Sequence, residues 1–269
     1  MPEYKASRSA TPEKQELRAR YKQQLPVTQM ILSAMGIPQI SCGESEADDL
    51  AGHICREIDE SWRVECLSRD TDWWQALKAN VSWFPTDYEA PVFLADLQNA
   101  EHRVAKKDGY FLSADEYLEC KALAGDSSDE IPGLDGVGMK TAAKIIRKHG
   151  QSIHDFWRLV DDGSLKPKGK TEEMVASQAS RDVFARNHRM MDWRQAPQIR
   201  RDLLAIVAGK TDWDELKGLT TDFGLSKVYR DSESLLAKWQ GGWGNGFEAV
   251  YCALHNDLCQ PLVNAHDLY

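Results

Sequence analysis

At 269 residues, with 42% apolar and 28% charged residues, the chain can bury a sizeable core and is long enough for one large or two modest domains. Its net charge of −9, taken as a total, argues against a nucleic-acid partner, and six cysteines without a C-x-x-C pair exclude a zinc knuckle or a disulfide framework. The longest aliphatic run, Leu203 to Ala208, is too short to span a bilayer, and no apolar leader opens the sequence, so a soluble, cytoplasmic protein is expected.

Charge is unevenly spread. Met1 to Leu25 carries Lys5, Arg8, Lys14, Arg18, Arg20 and Lys22 against Glu3, Glu13 and Glu16, whereas Glu44 to Asp49 holds acids and no base. Such segregation suits an enzyme that holds cations beside a polyanion. Thr11 followed by Pro12 predicts a helix start, with the helix running to Leu25 and a second helix, Met30 to Met35, after Pro26. Ile37 to Ile40 reads as a short strand. In Glu44 to Glu60, Ser45 is expected to cap a helix with Asp48 three residues on, and Leu50, Ile54 and Ile58 form its buried stripe. Acids in a first turn complement the helix dipole, but Glu46, Asp48 and Asp49 together exceed what a cap needs.

Val64 to Ser68 predicts a strand, and Asp70 and Asp72 follow it, where open α/β sheets place their ligands. Trp73, Trp74 and Leu77 read as a helix, with Val81 to Phe84 and Val92 to Leu94 as further strands. This alternation predicts an α/β fold with a mostly parallel central sheet flanked by helices. From Ser113 onwards only helices are predicted: Ala114 to Leu123, Ile153 to Leu159, Ser177 to Met190 and Trp213 to Phe223. Arg181, Arg186 and Arg189 offer a secondary phosphate-contacting face. Lys166 to Lys170 reads as a basic loop and Trp239 to Gly246 as an aromatic-rich turn region.

The stretch Gly125 to Lys148, GDSSDEIPGLDGVGMKTAAKIIRK, joins two chemistries. Asp126 and Asp129 stand three apart in a turn-forming run, so both carboxylates can face one cation. Gly133, Gly136 and Gly138 then offer backbone amides to a phosphate, just before a helix whose Lys140, Lys144, Arg147 and Lys148 share one side. The glycine spacing resembles a nucleotide-binding P-loop, but Met139 displaces the lysine and no apolar strand precedes the turn. Glu46, Asp48, Asp49, Asp70, Asp72, Asp126 and Asp129 form an all-oxygen donor set without histidine or thiolate, which favours Mg²⁺ or Mn²⁺, most economically as two ions acting in phosphodiester hydrolysis.

In order and separation, E-A-D-D, S-x-D-x-D and G-D-x-S-D-x-I-P-G-x-x-G-x-G-x-K-T-A resemble the 5′-nuclease family, which includes phage flap endonucleases and the 5′-nuclease domain of bacterial DNA polymerase I. The resemblance runs from Tyr4 to about Phe223. It implies a PIN-like nuclease core over residues 1–118 and a helical DNA-binding region over 119–269, with a helix-three-turn-helix at 125–148 whose carbonyls often bind K⁺ in that family. Matched residue by residue, Glu46 and Asp48 would serve the first metal and Asp70, Asp72 and Asp129 the second, with Asp49 and Asp126 in support. Tyr4, Lys5 and Arg8 match Y-K-x-x-R, in which the basic residues contact the scissile phosphate and the tyrosine stacks near the terminal nucleotides. The segment up to Leu25 would form the helical arch. Gly133, Gly136, Gly138, Lys140, Thr141, Lys144 and Lys148 would grip the duplex. The implied partner is DNA with 5′ ends or 5′ flaps, with RNA primers a further substrate of that type, in a bacterial or phage-infected cell.

The sequence departs from the family at Glu130, where asparagine is usual, and at Thr71, where lysine is common. Family members also carry an opening strand with a metal-binding aspartate, and a further helix-end aspartate, before Y-K-x-x-R. Without these the expectation is a depleted first-metal site and weak cleavage, whether the coding start is misplaced, upstream sequence was removed, or the chain is a natural short form. The competing reading is a DNA-structure-binding protein whose carboxylates hold a cation structurally. Alanine at Asp70 or Asp129 separates the two, because only an enzyme has turnover to lose.

Overall fold

The computed structural model describes residues 11–87, 89–109, 111–195 and 199–236. Tyr4, Lys5, Arg8 and the Trp239 to Gly246 turn region lie outside them. The described residues fall into two compact units, one built from 11–62 with 199–236, the other from 63–195.

In the first unit, helix α1 spans Pro12–Ala34 in one piece. Thr11 caps it by accepting from the Lys14 N–H at 3.3 Å, and Pro12 sits at the first turn as expected. Pro26 lies inside the helix rather than ending it. A proline removes one backbone donor, and here the loss is offset by Val27, Ile31 and Ala34 packing with Leu216 and Leu219 of α10 (Trp213–Asp222). Strand β1 (Gln39–Cys42) pairs antiparallel with β6 (Leu204–Val207), in the register Gln39↔Val207 to Cys42↔Leu204. That strand falls in the half of the sequence read as helical only. Helix α2 (Ala47–Glu57) packs Leu50 and Ile54 near Ile40, Leu204 and Ile206, and α11 (Ser226–Leu236) follows α10.

In the second unit, β2 (Val64–Leu67) runs parallel to β3 (Val81–Phe84). Among the described residues this is the one parallel pair, and Val92 contributes an isolated antiparallel bridge to Trp83 rather than a strand. Between β2 and β3 runs a 3-10 turn, Thr71–Ala76, where an α-helix was expected. Short helices α3 (Leu94–Leu97) and α4 (Arg103–Asp108) lead to α5 (Ala114–Ala124).

Helix α5 organises this unit. Every residue from Glu116 to Leu123 is buried, charged ones included. A helix buried on all sides tolerates charges only when each is paired. Glu116 accepts from Arg147 Nε at 2.6 Å and Nη2 at 2.9 Å, and from the Leu112 N–H as well. Glu119 accepts from the Ser152 hydroxyl at 2.6 Å and the Ile153 N–H at 2.8 Å. Lys121 meets Asp72 and Asp126. Around α5 stand α6 (Met139–His149), α7 (Ile153–Asp161), α8 (Gly169–Ala176) and α9 (Gln178–Met191), sharing a core with Trp74, Phe111, Ile146, Phe156 and Phe184.

The Glu172 carboxylate of α8 accepts from Lys148 at 2.6 Å, from the Lys168 N–H at 2.8 Å and lies 3.2 Å from the His149 ring. The Lys148 hydrogen bond, ahead of the other contacts, holds its carboxyl at about 2, below the ordinary 4.5. The fold therefore favours the charged form. The stability this contributes is complete above pH 4.5 and is lost as pH falls towards 2. Thermal melts across that window are expected to lose stability in the native protein and to be flatter in Glu172→Gln.

No helix among the described residues is long and apolar enough to cross a membrane. Cys42, Cys55, Cys66 and Cys120 are thiols rather than halves of a disulfide.

Candidate functional site

Two motifs build the acidic site in the same way. In S-x-D-x-D, Asp70 Oδ1 accepts the Asp72 N–H at 2.9 Å, and Ser68 Oγ accepts the Asp70 N–H at 3.1 Å. In G-D-x-S-D, Asp126 Oδ1 accepts the Ser128 N–H at 2.8 Å and the Asp129 N–H at 3.3 Å. The first aspartate of each motif thus locks a tight turn and sets the position of the second.

Asp72 and Asp126 converge on the ammonium of Lys121, with Asp126 Oδ2 at 2.7 Å and Asp72 Oδ1 also in direct contact. The three side chains are only 10%, 22% and 13% exposed for Lys121, Asp72 and Asp126 respectively. The Tyr117 hydroxyl donates to Thr71 Oγ1 at 3.1 Å and lies 3.4 Å from Asp72 Oδ1. Burial raises the Asp72 carboxyl above its usual range, against the pull of Lys121. Asp126 is also penalised by burial, but hydrogen bonds from Lys121 and Ser128 outweigh this and hold it at about 2. Lys121 and Tyr117 are both raised, so the lysine stays charged.

Among the described residues no three histidine, cysteine, aspartate or glutamate side chains stand close enough to hold a metal ion. The site nevertheless suits a hard cation in kind. Its donors are carboxylate oxygens, and two of them already close on a positive charge. A divalent ion there would compete with the Lys121 ammonium for Asp72 and Asp126.

Glu46, Asp48 and Asp49 open α2 in the other unit. Glu46, not Ser45, is the N-cap, and Asp49 rather than Asp48 reaches back, with Oδ2 accepting the Glu46 N–H at 3.1 Å. Part of this acidity therefore serves the helix start.

The glycine-rich turn divides by role. A β-carbon on Gly125, which has φ of 78°, would collide with the Gly133 backbone, and one on Gly133 would collide with Ala124. Gly133 therefore lets β4 (Gly125–Asp126) and β5 (Ile131–Pro132) close against the end of α5. Gly136 and Gly138 face open space, and Gly138 is the N-cap of α6. Asn187, fully buried on α9, donates to Ala122 O and Pro132 O, both at 2.9 Å, and ties the turn to α5. Glu130 takes a left-handed φ of 59°, which asparagine and glycine adopt at less cost. Glu130→Asn is expected to relieve this backbone cost and raise the midpoint of a denaturant titration.

Beyond the turn, Lys140, Lys144 and Lys148 are exposed on one side of α6 and Thr141 is half-buried. Arg147 turns inward to Glu116 and does not join that face. The expected second arginine face is likewise largely consumed by structure. Arg181 pairs with Asp161 through both arms at 2.7 and 2.8 Å, and Arg186 holds Asn187 and Pro132 O. Arg189 is exposed.

The family description "5′-3′ exonuclease, N-terminal resolvase-like domain" matches residues 1–107, and "5′-3′ exonuclease, C-terminal SAM fold" matches residues 112–206. The chain belongs to the 5′-3′ exonuclease family. Relatives of this family member include DNA polymerase I of Caldicellulosiruptor bescii, 30% identical over 234 residues, covering 84% of this chain and 26% of that protein. The chain spans between 15% and 26% of the length of such polymerase relatives. Among solved structures, T5 5′-exonuclease with bound zinc superposes with a TM-score of 0.60 at 25% identity, covering 85% of this chain and 78% of that one. A bacteriophage T5 flap endonuclease in a pseudo-enzyme-product complex with DNA and metal ions shares the fold, with a TM-score of 0.58 at 24% identity over 87% of this chain and 77% of that one.

Proposed function

We propose that this 5′-3′ exonuclease family chain is a structure-specific 5′-nuclease that hydrolyses DNA phosphodiesters at 5′ ends or 5′ flaps, with RNA primers as a related substrate. The observation that carries the reading is the convergence of Asp72 and Asp126 on one cation, flanked by Asp70 and Asp129, at the mouth of a turn that opens into a lysine face. Two divalent ions, Mg²⁺ or Mn²⁺, would supply an activated water and stabilise charge on the phosphate. Asp70, Asp72 and Asp129 would serve one ion with Asp126 in support, Glu46 and Asp48 would serve the other with Asp49 in support, and Lys121 holds Asp72 and Asp126 in register. Tyr4, Lys5 and Arg8 would hold the substrate at the cleaved bond. A core within residues 1–118 and a helical region from 119, with the helix-three-turn-helix at 125–148 and a K⁺ ion on its carbonyls, completes the reading.

Gly136, Gly138 and Thr141 bring backbone and hydroxyl donors to duplex phosphates, beside Lys140, Lys144 and Lys148. Replacing both Lys140 and Lys144 by alanine is expected to weaken duplex binding without altering sequence preference. The slope of log affinity against log salt should shrink by about 0.9 for each phosphate that is no longer neutralised, read by fluorescence anisotropy over a salt series. An unchanged slope would remove α6 from the interface. A second reading, DNA-structure binding without turnover, draws support from Lys121, which already neutralises Asp72 and Asp126.

A further inference from the structure

The lysine side of α6 borders a cavity of about 440 Å³ that the duplex reading leaves unused. Gly109, Phe111, Met139 and Ala143 line it, with Lys140 and Lys144 among the basic residues at its edge. Phe111 is buried, packed against Trp74 and Tyr117 at ring separations of 5.9 and 5.2 Å, so the accessible apolar lining comes from Met139 and the lysine stems. Arg147 and Lys148 also border the cavity, but both are bonded to glutamates. Lys140 and Lys144 have no acidic partner among the described residues, and one helical turn of about 6 Å separates them. A water-sized solute gains little from such a wall. A flat, weakly polar group on an anionic backbone gains from both wall and rim.

We propose that this cavity takes an unpaired base of the bound DNA strand, while Lys140 and Lys144 hold the phosphates on either side of it. The proposal rests on the reading of the lysine side of α6 as DNA-facing and adds to it a preference for duplex carrying an unpaired nucleotide. Every unpaired base can bring an apolar face to such a lining and no paired base can, so the site discriminates paired from unpaired strands without reading sequence.

The test compares the full chain on a blunt duplex and on the same duplex carrying one unpaired 2-aminopurine. The native protein is expected to bind the second about fivefold or more tightly, with a change in 2-aminopurine fluorescence. Ala143→Leu, which puts a larger side chain on the cavity wall, should abolish that advantage and leave blunt-duplex affinity unchanged. Should Ala143→Leu fail to fold, photo-crosslinking of the native protein to 5-iodouracil at the unpaired position decides the matter. Crosslinks to Met139 support the proposal, and crosslinks only elsewhere overturn it. Equal affinity for both duplexes overturns the cavity alone, whereas no affinity for either also removes the DNA-facing role of α6.

Discussion

Replacing Lys121 by methionine is expected to lower the stability of the metal-free protein by about 2 to 4 kcal/mol, the cost of leaving Asp72 and Asp126 side by side without their counter-charge. The figure lies at or below the usual range for a broken buried pair because Asp72 keeps partial access to water. Methionine preserves the length of the side chain and its packing among the buried residues of α5, so the loss is electrostatic rather than steric. The same substitution removes the competitor for the carboxylates. Millimolar Mg²⁺ or Mn²⁺ should therefore raise the melting temperature of Lys121→Met more than that of the native protein. Thermal melts with and without metal check both halves. An unchanged melt in the metal-free variant would mean that the Lys121 contacts contribute nothing to the fold.

The second large effect concerns turnover. Asp129→Ala is expected to reduce any metal-dependent cleavage by at least about a hundredfold while leaving duplex affinity intact. Asp70 and Asp126 hold the two tight turns through their own carboxylates, so changing either disturbs the backbone along with the chemistry. The Asp129 N–H bond to Asp126 is a backbone bond, which alanine retains.

Much of the unit 63–195 is legible in the sequence because its signals are local. The two aspartate motifs form turns through contacts two or three residues apart, and residue type alone announces them. The lysine row on α6 follows from helical spacing. Lys121 does not. Nothing in the run ECKALA marks it as buried, and the partners that justify its burial include Asp72, 49 residues away. Arg147 misleads in the same way, for its place in the basic row hides the buried Glu116 that claims it. A periodicity argument assigns faces but not the partner that neutralises a charge.

Long-range pairing sets the other limit. The strand Leu204–Val207 is recognisable only beside Gln39–Cys42, far away in the chain, and four apolar residues alone carry no strand signal. Pro26 reads as a stop because local sterics disfavour it, yet packing of the last turns of α1 on α10 carries the helix through. Glu130 shows the reverse case. The departure from asparagine stands out in the sequence, and the left-handed backbone there supplies the physical reason why asparagine suits the position.

The decisive measurement is the cleavage of a 5′-labelled flap duplex by the 269-residue chain and by Asp129→Ala, with Mg²⁺ and with chelator, alongside duplex affinity for both. A 5′-nuclease releases a short labelled product only with Mg²⁺, however slowly, and Asp129→Ala loses that product while binding as before. Absence of any Mg²⁺-dependent product from a chain that binds the duplex, or equal cleavage by Asp129→Ala, would contradict the account.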